Sequence, residues 1–343
     1  MRLLFARYAM TEKTANYVPF SMNLELTTNC PLYCPQCYCT LTGGKNIDPE
    51  TAIYWIKEGA EHGVKNVMLS GGETMCYPHI YDIIKAAHTY CGKAHVALSG
   101  YRFNEEVLNK MIDAGLDSIY VSLNGSTKEI NALTRNGFEL AIHALEVLKK
   151  SGFEDTTINW VMHSNNADDF INVVAIAEKY DIANLVILGV KPDSKDNFDT
   201  FPSLEQMQNV NNIRKSHKGK TKIFIESCFS PMLALACDTK LFGNLNVGKT
   251  MGCNAGRTHF SVSVDGLLSP CRHLEYYEKY DTLEDYWNNS EILKQLREID
   301  EHKREPCNSC RFTNNCRHCV AVNAKLCDEL FIGHPKCMLY TLP

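Results

Sequence analysis

Three cysteines, Cys30, Cys34 and Cys37, stand in a C-x3-C-x2-C arrangement within "NLELTTNCPLYCPQCYC" (23–39), directly after a run that reads as a β-strand. On a loop, this spacing lets three thiolates wrap one face of an iron–sulfur cubane and leaves the fourth iron open. An open iron in a pocket is a place where a small molecule chelates. The competing reading is a zinc site, because C-x2-C pairs are common zinc signatures. A three-cysteine zinc site needs a fourth ligand, and no histidine lies in this loop.

The cysteines continue through the chain, sixteen in 343 residues. The C-terminal stretch "PCNSCRFTNNCRHC" supplies Cys307, Cys310, Cys316 and Cys319, with Cys327 and Cys337 beyond it. Alone, its C-x2-C-x5-C-x2-C spacing also fits a zinc ribbon. The start "MRLLFARYAM" has too short an apolar run for a secretory segment, and no later segment approaches transmembrane length. A cytoplasmic location follows as the expectation, and in a reducing compartment these thiols read as metal ligands rather than disulfides.

Hydrophobic residues make up 45% and charged residues 22%, with a net charge of -5. That composition gives no general pull toward nucleic acid or an anionic membrane. One basic cluster, "RKSHKGKTK" (214–222), reads as a solvated loop, with docking of an acidic partner segment as the minority reading.

The elements that must position the thiols are legible from residue 24 to about 190, where β-branched runs alternate with amphipathic helices. Strands are expected at 24–28, 66–70, 94–99, 118–123, 157–163 and 184–190. One helix starts at Asp48-Pro49, carries Ile53, Ile56 and Ala60, and ends at Gly63. A second runs from Asn104 to Gly115 with Val107, Leu108, Met111 and Ile112 on one face, and a third ends at Gly152 with Leu140, Ala144 and Leu148 inward. Six β/α units in series imply an α/β fold with a parallel sheet, wound as a full or partial barrel, and ligands in such folds sit at the C-terminal ends of the strands. "SGGE" (70–73) and "SLNG" (122–125) end the second and fourth strands, so both converge with the cysteine loop on one mouth. Past residue 200 the pattern gives a helix, a strand "KIFIES", a hairpin turning at Asp265-Gly266, and a helix near 282–299.

The C-x3-C-x2-C motif after the first strand, "GGE" after the second and the six β/α units resemble the radical S-adenosylmethionine (radical SAM) enzymes. That resemblance implies a partial (β/α)6 TIM-like barrel, with S-adenosylmethionine bound to the open iron. Carried over, Gly71, Gly72 and Glu73 hold the methionine amino group, Ser122 lies near the ribose and Arg135 reaches the carboxylate. Two positions depart from the family pattern: Gln36 stands where an aromatic residue is usual, which touches the adenine contact, and Asn124 where Asp is common.

Cys253, the "GLLSPC" segment ending in Cys271, and the tail resemble the SPASM extension of the same enzymes, a small cysteine-rich iron–sulfur domain. The resemblance gives Cys253, Cys271 and Cys319 to a first auxiliary cluster and Cys307, Cys310, Cys316 and Cys337 to a second, making three iron–sulfur clusters, of the [4Fe-4S] type, in all. The Cys316–Cys319 interval is one residue shorter than the commonest form. The division expected is a radical SAM barrel at 1–200, a connecting segment at 201–252 and a SPASM domain at 253–343.

Six cysteines stay unassigned: Cys39, Cys76, Cys91, Cys228, Cys237 and Cys327. Buried small hydrophobes are the default for them. Cys228 is singled out with three alternatives: a fourth ligand to the first auxiliary cluster, a hydrogen-atom donor to a substrate radical, or an inert thiol. On the fifth strand, Trp160 and Met162 face one way while Asn159, Val161 and His163 face the other. His273, His302 and His318 read as hydrogen-bonding neighbours of the clusters. Asp193, Asp196 and Asp199 fall in the loop after the sixth strand, either at the mouth or simply solvated.

If the resemblance holds, bound S-adenosylmethionine is cleaved to a 5'-deoxyadenosyl radical that abstracts hydrogen from an unactivated carbon, while the protein supplies orientation and a closed cavity. The family's SPASM members act mostly on peptides, which implies a maturase of a ribosomally made peptide that forms a cross-link (C-C, C-S or C-O) or an epimerised residue. The implied partners are a precursor peptide and an electron donor such as flavodoxin or ferredoxin; since only about twenty residues precede the first strand, either a separate leader-binding protein or recognition by the barrel rim alone is implied. Two other classes compete: a radical enzyme oxidising or decarboxylating a small molecule, and a non-catalytic iron–sulfur or zinc protein.

Overall fold

The computed structural model describes residues 17–39, 43–191, 199–229, 251–333 and 337. Six parallel strands run in sequence order: β1 (Ser21–Glu25), β2 (Asn66–Ser70), β3 (Ala94–Leu98), β4 (Leu116–Ser122), β5 (Thr156–Met162) and β6 (Asn184–Gly189). Each pairs with the next, so all six C-terminal ends open on the same side.

The sheet continues at both edges. β7 (Lys222–Ile225) joins β6 in parallel. On the far side β9 (His259–Val262) lies parallel to β1, and β10 (Leu268–Ser269) returns antiparallel to it. A separate two-stranded ladder pairs β8 (Met251–Gly252) with β11 (Cys316–Arg317). The nine strands form a linear order ending at β10 and β7, an open sheet, which is the partial rather than the full barrel.

The helix ends follow the capping chemistry of their residues. In α1 (Pro49–Glu61) the Asp48 carboxylate accepts the Thr51 N–H at 2.9 Å, with Pro49 in the first turn. In α3 (Glu105–Asp113), Asn104 accepts the Val107 N–H at 2.9 Å. Together with α2 (Ile80–Cys91), α4 (Lys128–Ala132), α5 (Phe138–Ser151) and α6 (Phe170–Lys179), these pack on the sheet. One continuous core holds Leu24, Val67, Val96, Val121, Ile158 and Leu185 from successive strands. The basic cluster lies partly on the last turn of α7 (Leu204–Ser216) and then leads into β7, so only its middle is loop.

Several expectations are corrected. β1 begins at Ser21 and ends at Glu25, three residues earlier than the "LELTT" run, because β1 pairs with β2 in a register that sets Glu25 opposite Ser70. Ile112 is 42% exposed; the buried residues of α3 are Leu108 and Met111. In α5 the buried face is Ala141, Ala144, Leu145 and Leu148, with Leu140 only half-buried at its edge. The helix expected at 282–299 is broken at Ser290, which ends Leu283–Asn289 and caps Glu291–Arg297 by accepting the Leu293 N–H. A serine hydroxyl competes with helix continuation in this way. The Asp265-Gly266 turn is present, with Gly266 at φ 74° and its N–H bonded to the Ser263 carbonyl at 2.9 Å.

Candidate functional site

Two loops meet at the C-terminal end of the sheet. The chain leaving β1 carries Cys30, Cys34 and Cys37, all partly buried. The chain leaving β2 turns through Gly71 and Gly72 and is fastened to the first loop by two short backbone bonds: Gly72 N–H to the Thr27 carbonyl and Glu73 N–H to the Asn29 carbonyl, both 2.7 Å. Glycine is demanded by this closeness. At Gly71, φ is 149°, and a Cβ would stand 2.5 Å from the Thr27 oxygen; at Gly72 it would stand 2.9 Å from the Asn29 carbonyl carbon.

Glu73 is 2% exposed. Its carboxylate accepts the Met75 N–H at 3.1 Å and the Ser99 N–H at 3.0 Å, so it ties the β2 loop to the end of β3. Burial pushes its pKa up, and those donors together with the nearby Arg135 pull against that rise. Each carboxylate oxygen keeps a further lone pair for a donor in the mouth.

Arg135 follows α4 at the same rim, and its field reaches both Cys37 and Glu73. Two buried asparagines hold it. Asn131 accepts the Asn124 N–H at 2.8 Å and donates to the Arg135 carbonyl at 2.6 Å. Asn124 donates to Thr134 Oγ1 at 2.9 Å, accepts the Val161 N–H at 3.0 Å, and receives the Trp160 indole N–H on its carbonyl at 3.2 Å. The side-chain amide of Asn124 thus serves as donor and acceptor at once, which an ionised Asp would not do. Ser122 ends β4, partly buried, two residues before Asn124. Gln36 donates its N–H to the Thr134 carbonyl at 3.3 Å and leaves its buried side-chain oxygen without a partner.

On β5 the question of faces resolves. Trp160 and Met162 are fully buried, the Trp160 ring lying 4.6 Å from that of Phe170 on α6, while Asn159 and Val161 are partly exposed on the other face. His163 is buried, and its Nδ1 accepts the Asn165 N–H at 2.9 Å. Asp199 accepts a hydrogen bond from Ser164 on its backbone carbonyl, at 2.9 Å. Asp193, Asp196 and Cys237 lie outside the described residues.

The C-terminal cysteines gather into two groups. Cys253, Cys271 and Cys319 pack together beside Ala255, Leu274 and Leu296. Cys228 lies beside them, sharing a cavity wall with Cys319, and each of these two thiols shifts the ionisation of the other. Desolvation first, and then the neighbouring thiols, push Cys271 well up and Cys253 up to about 11. The second group is Cys307, Cys310, Cys316 and Cys337, where desolvation and then the other three sulfurs raise Cys307 to about 12. At Cys253, Cys271 and Cys307, where burial and neighbouring sulfurs both oppose ionisation, a cationic group among the sulfurs would relieve that opposition.

Iron–sulfur clusters suit this donor set. Among the described residues no three or more His, Cys, Asp or Glu side chains form a group placed for a metal ion. The Nδ1 atoms of His273 and His318, in residues next or next but one to Cys271 and Cys319, are buried without a protein partner. Those orphaned nitrogens accord with a sulfide-rich group seated there. His273 stacks edge-on to Tyr38 at 4.3 Å and His318 Nε2 meets the Leu330 carbonyl at 3.1 Å. His302 lies against Phe331, with ring centroids 5.2 Å apart.

Some contacts had no signal in the sequence reading. Arg272, next to Cys271, reaches across to the first cysteine loop: its guanidinium lies 4.6 Å over the Tyr38 ring, 3.9 Å from Glu25 and 3.8 Å from the Cys39 sulfur. Cys39 is not an inert filler; its thiol meets the Gly71 carbonyl at 3.4 Å and, by a hydrogen bond to Cys37, lowers that thiol's pKa. Cys76 and Cys327 are only partly buried, and among the described members of the unassigned set only Cys91 is a buried thiol, bonded to the Ile56 carbonyl at 3.4 Å. Among the described residues no helix is long and apolar enough to cross a membrane.

Comparison with known proteins agrees with this geometry. The model of the radical SAM superfamily matches residues 24–177, and that of SPASM, an iron–sulfur cluster-binding domain, matches residues 253–319. Similar chains include the PqqA peptide cyclase of Ruegeria pomeroyi, 26% identical over 86% of this chain and 80% of the relative. The AdoMet-dependent heme synthase of Methanosarcina barkeri is 22% identical over 92% and 95%, and the mycofactocin maturase MftC of Mycolicibacterium smegmatis 25% over 92% and 80%. In fold, the chain is similar to Streptococcus suis SuiB bound to S-adenosylmethionine, with a TM-score of 0.73, 15% identity and coverage of 94% of this chain and 77% of that one. It also resembles anSMEcpe bound to AdoMet and the Cp18Cys peptide, with a TM-score of 0.72, 17% identity and coverage of 94% and 95%. The chain therefore carries a radical SAM superfamily domain over residues 24–177 and a SPASM iron–sulfur cluster-binding domain over residues 253–319, the marks of an enzyme of S-adenosylmethionine and iron–sulfur clusters.

Proposed function

We propose that this enzyme is a maturase of a ribosomally made peptide. The observation that carries the reading is the pairing of a barrel mouth with two auxiliary cysteine groups in a chain whose relatives include a PqqA peptide cyclase and the mycofactocin maturase MftC. When bound, S-adenosylmethionine on a reduced cluster supplies an adenosyl radical that removes one hydrogen atom from the peptide. In this reading Cys30, Cys34 and Cys37 hold the site cluster. Gly71, Gly72 and Glu73 receive the methionine amino group, Arg135 its carboxylate, and Ser122 lies by the ribose.

Cys253, Cys271 and Cys319 hold the first auxiliary cluster, and the closeness of Cys228 to Cys319 in one cavity wall favours Cys228 as its fourth ligand over a hydrogen donor. Cys307, Cys310, Cys316 and Cys337 hold the second. A fully ligated cluster takes up or passes electrons and has no open iron for a substrate, which suits a net oxidation, a cross-link formed with loss of two hydrogens, more than a redox-neutral epimerisation. The division into a barrel at 1–200, a connection at 201–252 and a SPASM domain at 253–343 belongs to the same proposal, with strands past residue 200 extending the barrel sheet. The electron donor would be a flavodoxin or ferredoxin, the leader would be read by a separate protein or by the barrel rim itself, and the cytoplasm would be the location.

One relative favours a second reading. The heme synthase matches along nearly the whole of both chains, so oxidation or decarboxylation of a small molecule is the alternative.

The test is iron and sulfide per chain after anaerobic reconstitution, with 5'-deoxyadenosine measured under reduction. About twelve irons are expected for three four-iron clusters. Replacing Cys30, Cys34 and Cys37 together by Ala should remove about a third of the iron and all cofactor cleavage; cleavage that persists in that variant would sink the site assignment. Incubation with candidate precursor peptides and, separately, with porphyrins then divides the two readings, by which of them loses hydrogens.

A further inference from the structure

At the C-terminal end of β6 a cavity of about 100 Å³ opens between the barrel edge and the auxiliary cysteines, with Lys191, Cys228 and Cys319 in its wall. Lys191 is a lysine withdrawn from water, its side chain 10% exposed. Its Nζ donates to the Gly189 carbonyl at 3.0 Å and to Glu226 Oε2 at 2.5 Å. The same carboxylate oxygen accepts the Gly189 N–H at 3.1 Å, so Glu226, two residues before Cys228, holds the strand end and the ammonium together. Both charges act on both sulfurs, those of Cys228 and Cys319. Burying an ammonium and a carboxylate costs several kcal/mol each before their attraction returns some of it, so stability alone is a poor reason for the pair. An ammonium has three N–H bonds, and two are occupied by protein oxygens.

We infer that Lys191 and Glu226 set the reduction potential of the group held by Cys228, Cys253, Cys271 and Cys319, with Lys191 favouring its reduced form and Glu226 opposing it. The inference rests on the reading of those four cysteines as cluster ligands. Uptake of one electron makes such a group more negative by one charge. A nearby fixed cation stabilises that product, and net charge, hydrogen bonds to sulfur and exposure are the levers that set cluster potentials. Lys191 is thus a positioning residue for electron acceptance, and Glu226 holds it back from full effect.

The experiment is a redox titration of the full-length, anaerobically reconstituted enzyme followed by electron paramagnetic resonance. The first auxiliary signal is identified as the one that Cys228→Ser perturbs. Lys191→Met is expected to lower the ratio of reduced to oxidised first auxiliary cluster at least tenfold at the wild-type midpoint, a shift of 59 mV for a one-electron couple. Lys191→Arg is expected to restore the wild-type midpoint. Glu226→Gln is expected to move it the opposite way, which a merely structural role would not do. If Lys191→Met does not fold, the direction of the Glu226→Gln shift decides. Wild-type midpoints in fully iron-loaded variants, or shifts of the same sign in both, overturn the inference. Full iron with no signal responsive to Cys228→Ser would instead remove the ligand reading, and the inference with it.

Discussion

The contact between the two loops of the mouth is close enough to compute what one methyl group would do. Gly72 has an ordinary backbone conformation, so the cost of Gly72→Ala comes only from space. The added Cβ would lie inside contact distance of the Asn29 carbonyl, 2.9 Å from its carbon and 3.1 Å from the Thr28 carbonyl carbon, and the loops must separate. Overpacking of this kind costs about 1–3 kcal/mol. Separation also weakens the two 2.7 Å bonds, Gly72 N–H to Thr27 and Glu73 N–H to Asn29, at about 0.5–1.5 kcal/mol each. The sum is about 2–6 kcal/mol. A chain of 343 residues has an unfolding entropy of about 0.7 kcal/mol/K, so thermal unfolding should fall by about 3–8 °C. Because the displaced backbone is the proposed seat of the methionine amino group, S-adenosylmethionine affinity should fall at least tenfold, the equivalent of about 1.4 kcal/mol. Gly152→Ala is the control: nothing lies within 4 Å of its Cβ and φ is 68°, so it costs only the left-handed strain of about 1–2 kcal/mol and leaves affinity unchanged. Paired calorimetric melts and titrations read both quantities. If Gly72→Ala melts no lower than Gly152→Ala and binds the cofactor as wild type does, the steric argument is refuted.

Three further expectations are open to measurement. Cys228→Ser should leave 5'-deoxyadenosine formation with reductant intact while making up to four irons per chain labile to chelator; unchanged iron retention together with lost product would return the thiol to hydrogen donation. Asn131→Ala removes hydrogen bonds from both the Asn124 N–H and the Arg135 carbonyl, at about 1–3 kcal/mol for each buried group left unpaired. It should weaken S-adenosylmethionine binding far more than it changes iron content, and an unaltered affinity would detach Arg135 from cofactor binding. Burial holds His95 and His259 neutral with pKa values of about 4, against 6.5 in the unfolded chain. The unfolded state therefore binds protons first as pH falls, so stability is full above about pH 6.5 and declines toward pH 4, by up to about 3 kcal/mol per histidine. His95→Asn should flatten that decline in denaturant midpoints, and an unchanged slope would mean other groups carry it.

Much of this protein was legible in one dimension because the signals are local. A three-cysteine loop, a Gly-Gly-Glu turn one β/α unit later, capped helices at Asp48 and Asn104, and alternation along six strands each depend on residues a few positions apart. Even the hairpin at Asp265-Gly266 needs only its own backbone. What tertiary structure alone decided involves pairs far apart in sequence. Cys228 meets Cys319 across 91 positions, and Lys191 meets Glu226 across 35. Arg272 lies over Tyr38 because β9 docks beside β1, a parallel pairing that no local pattern specifies. The break at Ser290 was likewise invisible to periodicity, since a hydroxyl that caps one helix and ends another is set by what its partner, here Glu278, places beside it. Spacing along the chain names the chemistry that thiols and glycines can do, but the charges that tune that chemistry are brought to it by folding.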